Sequence, residues 1–285
     1  MTDGDMRQQL SRYSGALTSF SSSPSKFHIL HSLPTSTPPP PKTLYILDSS
    51  FNPPTLAHAR IATSALLHDT HSSPSPKRLL LLLAIQNADK APKPASFEQR
   101  LAMMQAFASD LLASISKEIQ NSEDISIDIA VTKLPYFVDK SATIEESGAY
   151  SKDRKQVHMI GFDTLIRILD PKYYGPMHSL EVLDPFFRKN RLRVTYRTDD
   201  EWGSRKAQDN YLREIADGKR NGDGAHSEWV TDGMIEMCEG RKKGEDIVSS
   251  TKVREAAKKE DRSTLERLVT PGVADWVLSE GLYQK

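Results

Sequence analysis

The longest apolar run in the chain is seven residues, 79–85, reading Leu-Leu-Leu-Leu-Leu-Ala-Ile, and it limits the available folds more than any other feature. Crossing a bilayer takes about 20 such residues, so the run is not a membrane span. It is apolar at successive positions rather than alternate ones, so both of its faces must be buried. A short strand buried on both faces belongs in a parallel sheet covered by helices.

The rest of the chain repeats that pattern. Short apolar runs at 43–47, 77–85, 125–131, 156–160 and 191–196 read as strands, and helical stretches follow at about 55–68, 96–119, 162–169 and 204–216. Strands alternating with helices predict an α/β fold, a Rossmann-like parallel sheet flanked by helices and built from right-handed crossovers. Three further helical stretches, 252–259, 263–268 and 272–282, close the chain, and no internal repeat is present. Residues 219–226, with Gly222 and Gly224 among polar neighbours, read as a mobile loop.

Residues 1–42 differ in composition. Leu10, Tyr13, Leu17 and Phe20 recur at helical spacing and predict a helix near 6–20, which a serine cluster and the prolines at 38–41 then break. The expected organisation is an N-terminal helical, Pro/Ser-rich appendage over 1–42, packing on or linking to a domain over 43–285. The prolines serve as a linker or as a ligand for a partner.

Charge narrows the partners. Lys+Arg and Asp+Glu both number 38, which disfavours a chain-wide attraction to nucleic acid or to an anionic membrane. A bound anion must therefore be held by a local cluster of charges and backbone donors. Cys238 is the only cysteine, so no intramolecular disulfide or multi-cysteine zinc site forms. The start of the chain lacks an apolar signal core and carries Asp3 and Asp5, so the expected location is cytoplasmic, nuclear or both.

In an open parallel sheet, ligands bind where strands end and helices begin. Two such turns here carry chemistry. The first is Asp48-Ser-Ser-Phe-Asn-Pro-Pro-Thr-Leu-Ala-His58. Its prolines suit a helix entry, and Thr55 and His58 then share one face beside unpaired helix N–H groups, an arrangement suited to phosphate. Taken alone, the same residues also fit a capping threonine and a surface histidine. The second turn is Ile247-Val-Ser-Ser-Thr-Lys-Val-Arg254. Its hydroxyls can cap a helix, and Arg254 can fold back toward a phosphate or simply be solvated.

Together, Ser-Phe-Asn-Pro-Pro-Thr-x-x-His and Ser-Ser-Thr-Lys-Val-Arg resemble the two signatures of the HxGH nucleotidylyltransferases, and within them the fungal nicotinamide/nicotinate mononucleotide adenylyltransferases. The resemblance runs from about Thr43 to Tyr283. It implies the nucleotidylyltransferase fold and transfer of the adenylyl group of ATP to nicotinamide or nicotinate mononucleotide. NAD or deamido-NAD and pyrophosphate are the products, with Mg²⁺ carried by ATP and no protein metal site.

Under this resemblance His58 donates to the triphosphate, and Thr55 replaces the first histidine of the motif. Ser50 and Phe51 run beside the nucleotide. Ser250, Thr251 and Arg254 bind the outer phosphates, with Lys252 nearby. Gly161 and Asp163 line the adenosine side, although a helix cap also explains Asp163. Lys90, Arg100 and Arg197 approach the mononucleotide. Tyr136 or Phe137 stacks on its pyridine ring, or else is a core aromatic. Ser49 and Ala57 stand where the family usually has glycine. Two other readings remain open: transfer to another phosphorylated acceptor such as phosphopantetheine, or a nucleotide-binding regulatory role with little transfer.

Overall fold

In a computed structural model, the described residues are 3–34, 41–69, 76–85, 94–118, 125–151, 154–197, 202–240 and 245–284. Among them lies a seven-stranded sheet. Its strands are β1 (Phe27–Leu33), β2 (Thr43–Asp48), β3 (Lys77–Ala84), β4 (Ile125–Thr132), β5 (Lys155–Gly161), β6 (Arg191–Thr195) and β7 (Ile235–Cys238), in the spatial order β1-β4-β3-β2-β5-β6-β7. Every neighbouring pair is parallel except the edge pair β1–β4.

The leucine run behaves as its pattern demands. Leu79, Leu81 and Leu83 enter one core beside Tyr45, Leu47, Ile127 and Ile129, while Leu80 and Leu82 enter the other beside Leu44, Ile46 and Ala130. All five leucines are 0 or 1 % exposed. Period-two side chains with both faces covered require apolar residues at every position.

Helices α2 (Leu56–His68) and α3 (Phe97–Glu118) cover the first face, joined by α9 (Ser250–Lys258), α10 (Arg262–Leu268) and α11 (Pro271–Ser279). Among the elements that the sequence pattern did not reveal are α4 (Phe137–Glu146), directly after β4, the four-residue α8 (Glu228–Thr231), and the edge strands β1 and β7. A second cluster gathers α5 (Phe162–Ile168), the short α6 (Asp184–Phe187), α7 (Arg205–Ala216) and Trp229 around β6.

Helix α1 (Asp3–Ser22) includes the helix expected near 6–20. It buries Met6, Tyr13 and Phe20 in the main core, and Tyr13 Oη donates to Gln105 Oε1 at 2.7 Å. Residues 27–33, which carried no strand signal, pair with β4 at the edge of the sheet. The 219–226 segment is tied down: Arg220 donates to Leu169 O and to Asp223, and a 3₁₀ turn covers Asn221–Asp223.

The chain leaves β2 toward β3 and β4 on one side, then returns to place β5 on the other side of β2. That reversal opens a crevice between the carboxyl ends of β2 and β5, the position where open α/β sheets hold ligands.

Candidate active site

A cleft of about 320 Å³ occupies this crevice. Its walls come from the ends of four strands: Asp48 and Ser49 after β2, Gly161 after β5, Thr195 to Arg197 after β6, and Gly240 after β7. Thr55 and His58 of α2, together with Ser249 and Ser250 at the start of α9, close the remaining side.

The two signature turns, some 200 residues apart in sequence, are hydrogen-bonded to each other. Ser250 Oγ donates to Pro53 O at 3.0 Å, and Arg254 donates to Asn52 O at 2.9 Å and to Thr251 Oγ1 at 3.0 Å. Tyr283 Oη donates to Asn52 Oδ1 at 2.9 Å, so the end of the chain braces the same loop. Phe51 is fully buried with φ of 44°, a left-handed backbone that a bulky residue adopts only when its surroundings enforce it. Its ring lies 5.3 Å from that of His58 and packs against it.

His58 is held on both nitrogens. The Thr55 backbone N–H donates to Nδ1 at 3.0 Å, with Thr55 Oγ1 2.9 Å from the same nitrogen, while Nε2 lies 3.0 Å from Ser49 Oγ. A main-chain N–H can only donate, so Nδ1 is the acceptor and the proton sits on Nε2. Burial, then the positive charge of Arg197, lowers the imidazole to about 4. His58 is therefore neutral at physiological pH.

Two carboxylates line the cleft, and each already has a cation. Asp163 Oδ1 accepts from Arg197 Nε at 2.8 Å. Asp48, whose carboxyl is raised by burial against the opposing effect of Lys140, forms a buried ion pair with Lys140 of α4. Gly161 is needed where it stands. A Cβ there would overlap Asp163 Oδ1 and come within 3.1 Å of Arg197 Nε. Gln208 of α7, fully buried, accepts from the Arg197 backbone N–H at 3.1 Å and donates to the Arg197 carbonyl, fixing the loop that carries this arginine. Among the described residues no group of three or more His, Cys, Asp or Glu is placed to hold a metal ion.

The structure gathers Thr55, His58, Gly161, Asp163, Arg197 and Ser250 around one cleft. Arg254 and Thr251 stand behind it, tied to the Asn52 loop, and Ser50 is exposed beside it. Arg100 is buried, donates to Ala95 O at 3.0 Å and is lowered by burial, with Tyr283 and Arg254 close enough to act on its charge. It lies away from the cleft wall. Tyr136 is 46 % exposed just before α4. Phe137 packs into the core around β6 and against His158. Lys90 lies outside the described residues. Gln208, which fixes the loop that carries Arg197, is a candidate positioning residue that the motifs did not single out.

Comparison with known proteins bears on this geometry. No family model matches the chain. Over 184 residues it is 37 % identical to a Schizosaccharomyces pombe protein named "Putative nicotinamide mononucleotide adenylyltransferase". That alignment covers 65 % of this chain and 64 % of the relative. Two solved structures of Plasmodium falciparum nicotinic acid mononucleotide adenylyltransferase superpose on it. The one complexed with NaAD has a TM-score of 0.52 at 14 % identity, covering 85 % of this chain and 98 % of that one. The one complexed with APC has a TM-score of 0.51 at 15 % identity, with the same coverage. The chain shares their fold. The expected α/β architecture, a parallel sheet flanked by helices, is thus the one these two structures share, and the cleft described above lies at its strand ends. No helix among the described residues is long and apolar enough to cross a membrane.

Proposed function

We propose that this protein transfers the adenylyl group of ATP to nicotinamide or nicotinate mononucleotide, in the cytoplasm, the nucleus or both. The observation that carries the reading is the joining of the two signature turns, Ser250 to Pro53 and Arg254 to Asn52, at the crevice between β2 and β5. A capped surface helix and an unrelated loop would have no reason to meet there. The relative's name and the shared fold support the same choice of acceptor.

A phosphate oxygen of the mononucleotide attacks the α-phosphorus, the bond from that phosphorus to the bridging oxygen of the β-phosphate breaks, and pyrophosphate leaves. The attacking phosphate is already ionised at neutral pH, so a neutral His58 is no handicap. The protein's work is alignment and donation to oxygens that gain charge. The unpaired N–H groups at the start of α9 and the Arg254 guanidinium beside them form the anion-binding end of the site. Mg²⁺ would be carried by ATP oxygens and water, because both carboxylates lining the cleft are engaged by Lys140 and Arg197.

The test combines purified full-length protein, ATP, Mg²⁺ and each mononucleotide, reading product mass and pyrophosphate. Dinucleotide should form, and Arg254→Ala should lower turnover by about 100-fold. Absence of dinucleotide with both acceptors would refute the assignment, and phosphopantetheine and CTP in parallel reactions would then identify a different transfer.

A further inference from the structure

We propose that Ser49 Oγ, rather than His58, is the group that donates to a phosphoryl oxygen in the cleft, and that His58 acts behind it as a positioning residue. This deepens the adenylyl-transfer reading and rests on it for the identity of the nucleotide.

The argument begins with proton placement. Nδ1 of His58 accepts from the Thr55 backbone N–H, so the ring's one proton is on Nε2. Nε2 is 3.0 Å from Ser49 Oγ, so that contact is an N–H donating to the serine oxygen. The imidazole therefore spends its donor on Ser49 and has no second one. The serine O–H cannot point at the same nitrogen, and among the described residues nothing accepts from it. Ser49 lines the same cleft as Gly161 and Arg197. Its O–H is left for whatever occupies that space, and a hydroxyl that accepts a hydrogen bond becomes a stronger donor.

The support behind this chain of donors is rigid. Thr55 is 1 % exposed and Phe51 is 0 % exposed against the imidazole ring. Burial keeps the ring uncharged, so the pair works as a polarised neutral donor and not as a cation. A glycine at position 49 would leave Nε2–H facing the cleft directly. Serine inserts one more hydroxyl between imidazole and ligand and moves the donor about one hydrogen-bond length outward.

ATP affinity measured by calorimetry with Mg²⁺ on the full chain tests the assignment independently of the acceptor. Ser49→Ala should weaken ATP binding by about 10- to 100-fold, the range for a neutral donor lost from a charged acceptor, and Ser49→Thr should restore most of it. Because His58 acts through Ser49, the losses from Ser49→Ala and His58→Gln should be less than additive in the double variant. Equal affinity in wild type, Ser49→Ala and Ser49→Gly would overturn the proposal, as would full additivity of the two substitutions. Wild-type protein that binds ATP yet forms no dinucleotide would refute the activity while the Ser49 comparison still stands. Wild-type protein that binds no ATP would refute both.

Discussion

His158 offers a direct test of how the second core of the sheet is charged. It sits in β5, 1 % exposed, with the rings of Phe186 and Phe137 at 5.0 and 5.8 Å. The amide nitrogen of Gln156 is committed to Ser141 O, so Gln156 Oε1 accepts from His158 Nε2, 3.2 Å away. That leaves Nδ1 buried without a partner. Burial, then the charge of Lys140, pushes the imidazole from 6.5 down to about 3. The folded value lies below the unfolded one, so the native state binds fewer protons and loses stability as pH falls from 6.5 toward 3. At about pH 5 the unfolded chain has gained about 2 kcal/mol from this one histidine, and near pH 3 about 4 kcal/mol. His158→Gln keeps an amide donor for Gln156 and removes the titration. Urea unfolding of both proteins at about pH 7.5 and about pH 5 isolates the effect, because Asp48 and the other carboxylates titrate in each and cancel. The pH-dependent loss should be about 2 kcal/mol smaller in the variant. Losses that agree within about 0.5 kcal/mol would show that the Nδ1 environment is not what holds the imidazole neutral.

Two further substitutions address the cleft wall and the N-terminal segment. Gly161→Ala drives a Cβ into the Asp163–Arg197 pair; it should leave the circular dichroism spectrum intact and weaken ATP binding by about 10-fold, read by calorimetry. Phe20→Ala removes a ring that is 3 % exposed in the main core. Its cost should be about 3–5 kcal/mol in urea unfolding, a loss that a loosely tethered appendage would not show.

The fold was legible wherever the pattern was locally redundant. The 79–85 run left only a doubly covered strand, and the β2, β5 and β6 runs matched their observed ranges to within a residue or so. β1 and β7 were not legible because edge strands carry weaker patterns: Phe27–Leu33 contains two histidines and a serine, and Ile235–Cys238 is four residues long. α4 was missed because Pro135, Tyr136 and Phe137 looked like a recognition loop, while the helix that follows buries only Lys140, Ser141 and Ile144. A buried lysine gives no amphipathic signal, and its reason appears only with Asp48 in place. The site was legible as two turns but not as a circuit. That Ser250 reaches Pro53 could be guessed from the pairing of motifs. That Gln208 clamps Arg197, or that Ser49 takes the proton of His58, depends on distances that no spacing encodes.

On the adenylyl-transfer reading, the cleft's charges would let a chain with no net charge present a site for a polyanion. Asp163 neutralises Arg197 and Asp48 neutralises Lys140, so neither pair leaves an isolated ion that would have to be kept desolvated. His58 contributes a dipole only. On that reading, a phosphate group entering beside Asp163 would compete with that carboxylate for Arg197, which is 41 % exposed and anchored through its backbone by Gln208, so its guanidinium could change partner while its loop stays fixed. Asp163 would then be free to accept from a ribose hydroxyl, the role on the adenosine side that the family resemblance implies. Each ion pair in the resting cleft thereby stores one donor and one acceptor in mutually satisfied form. Nucleotide binding of the proposed kind would exchange those partners instead of creating new charges, and so would avoid the main cost of building an anion site at the edge of a buried sheet.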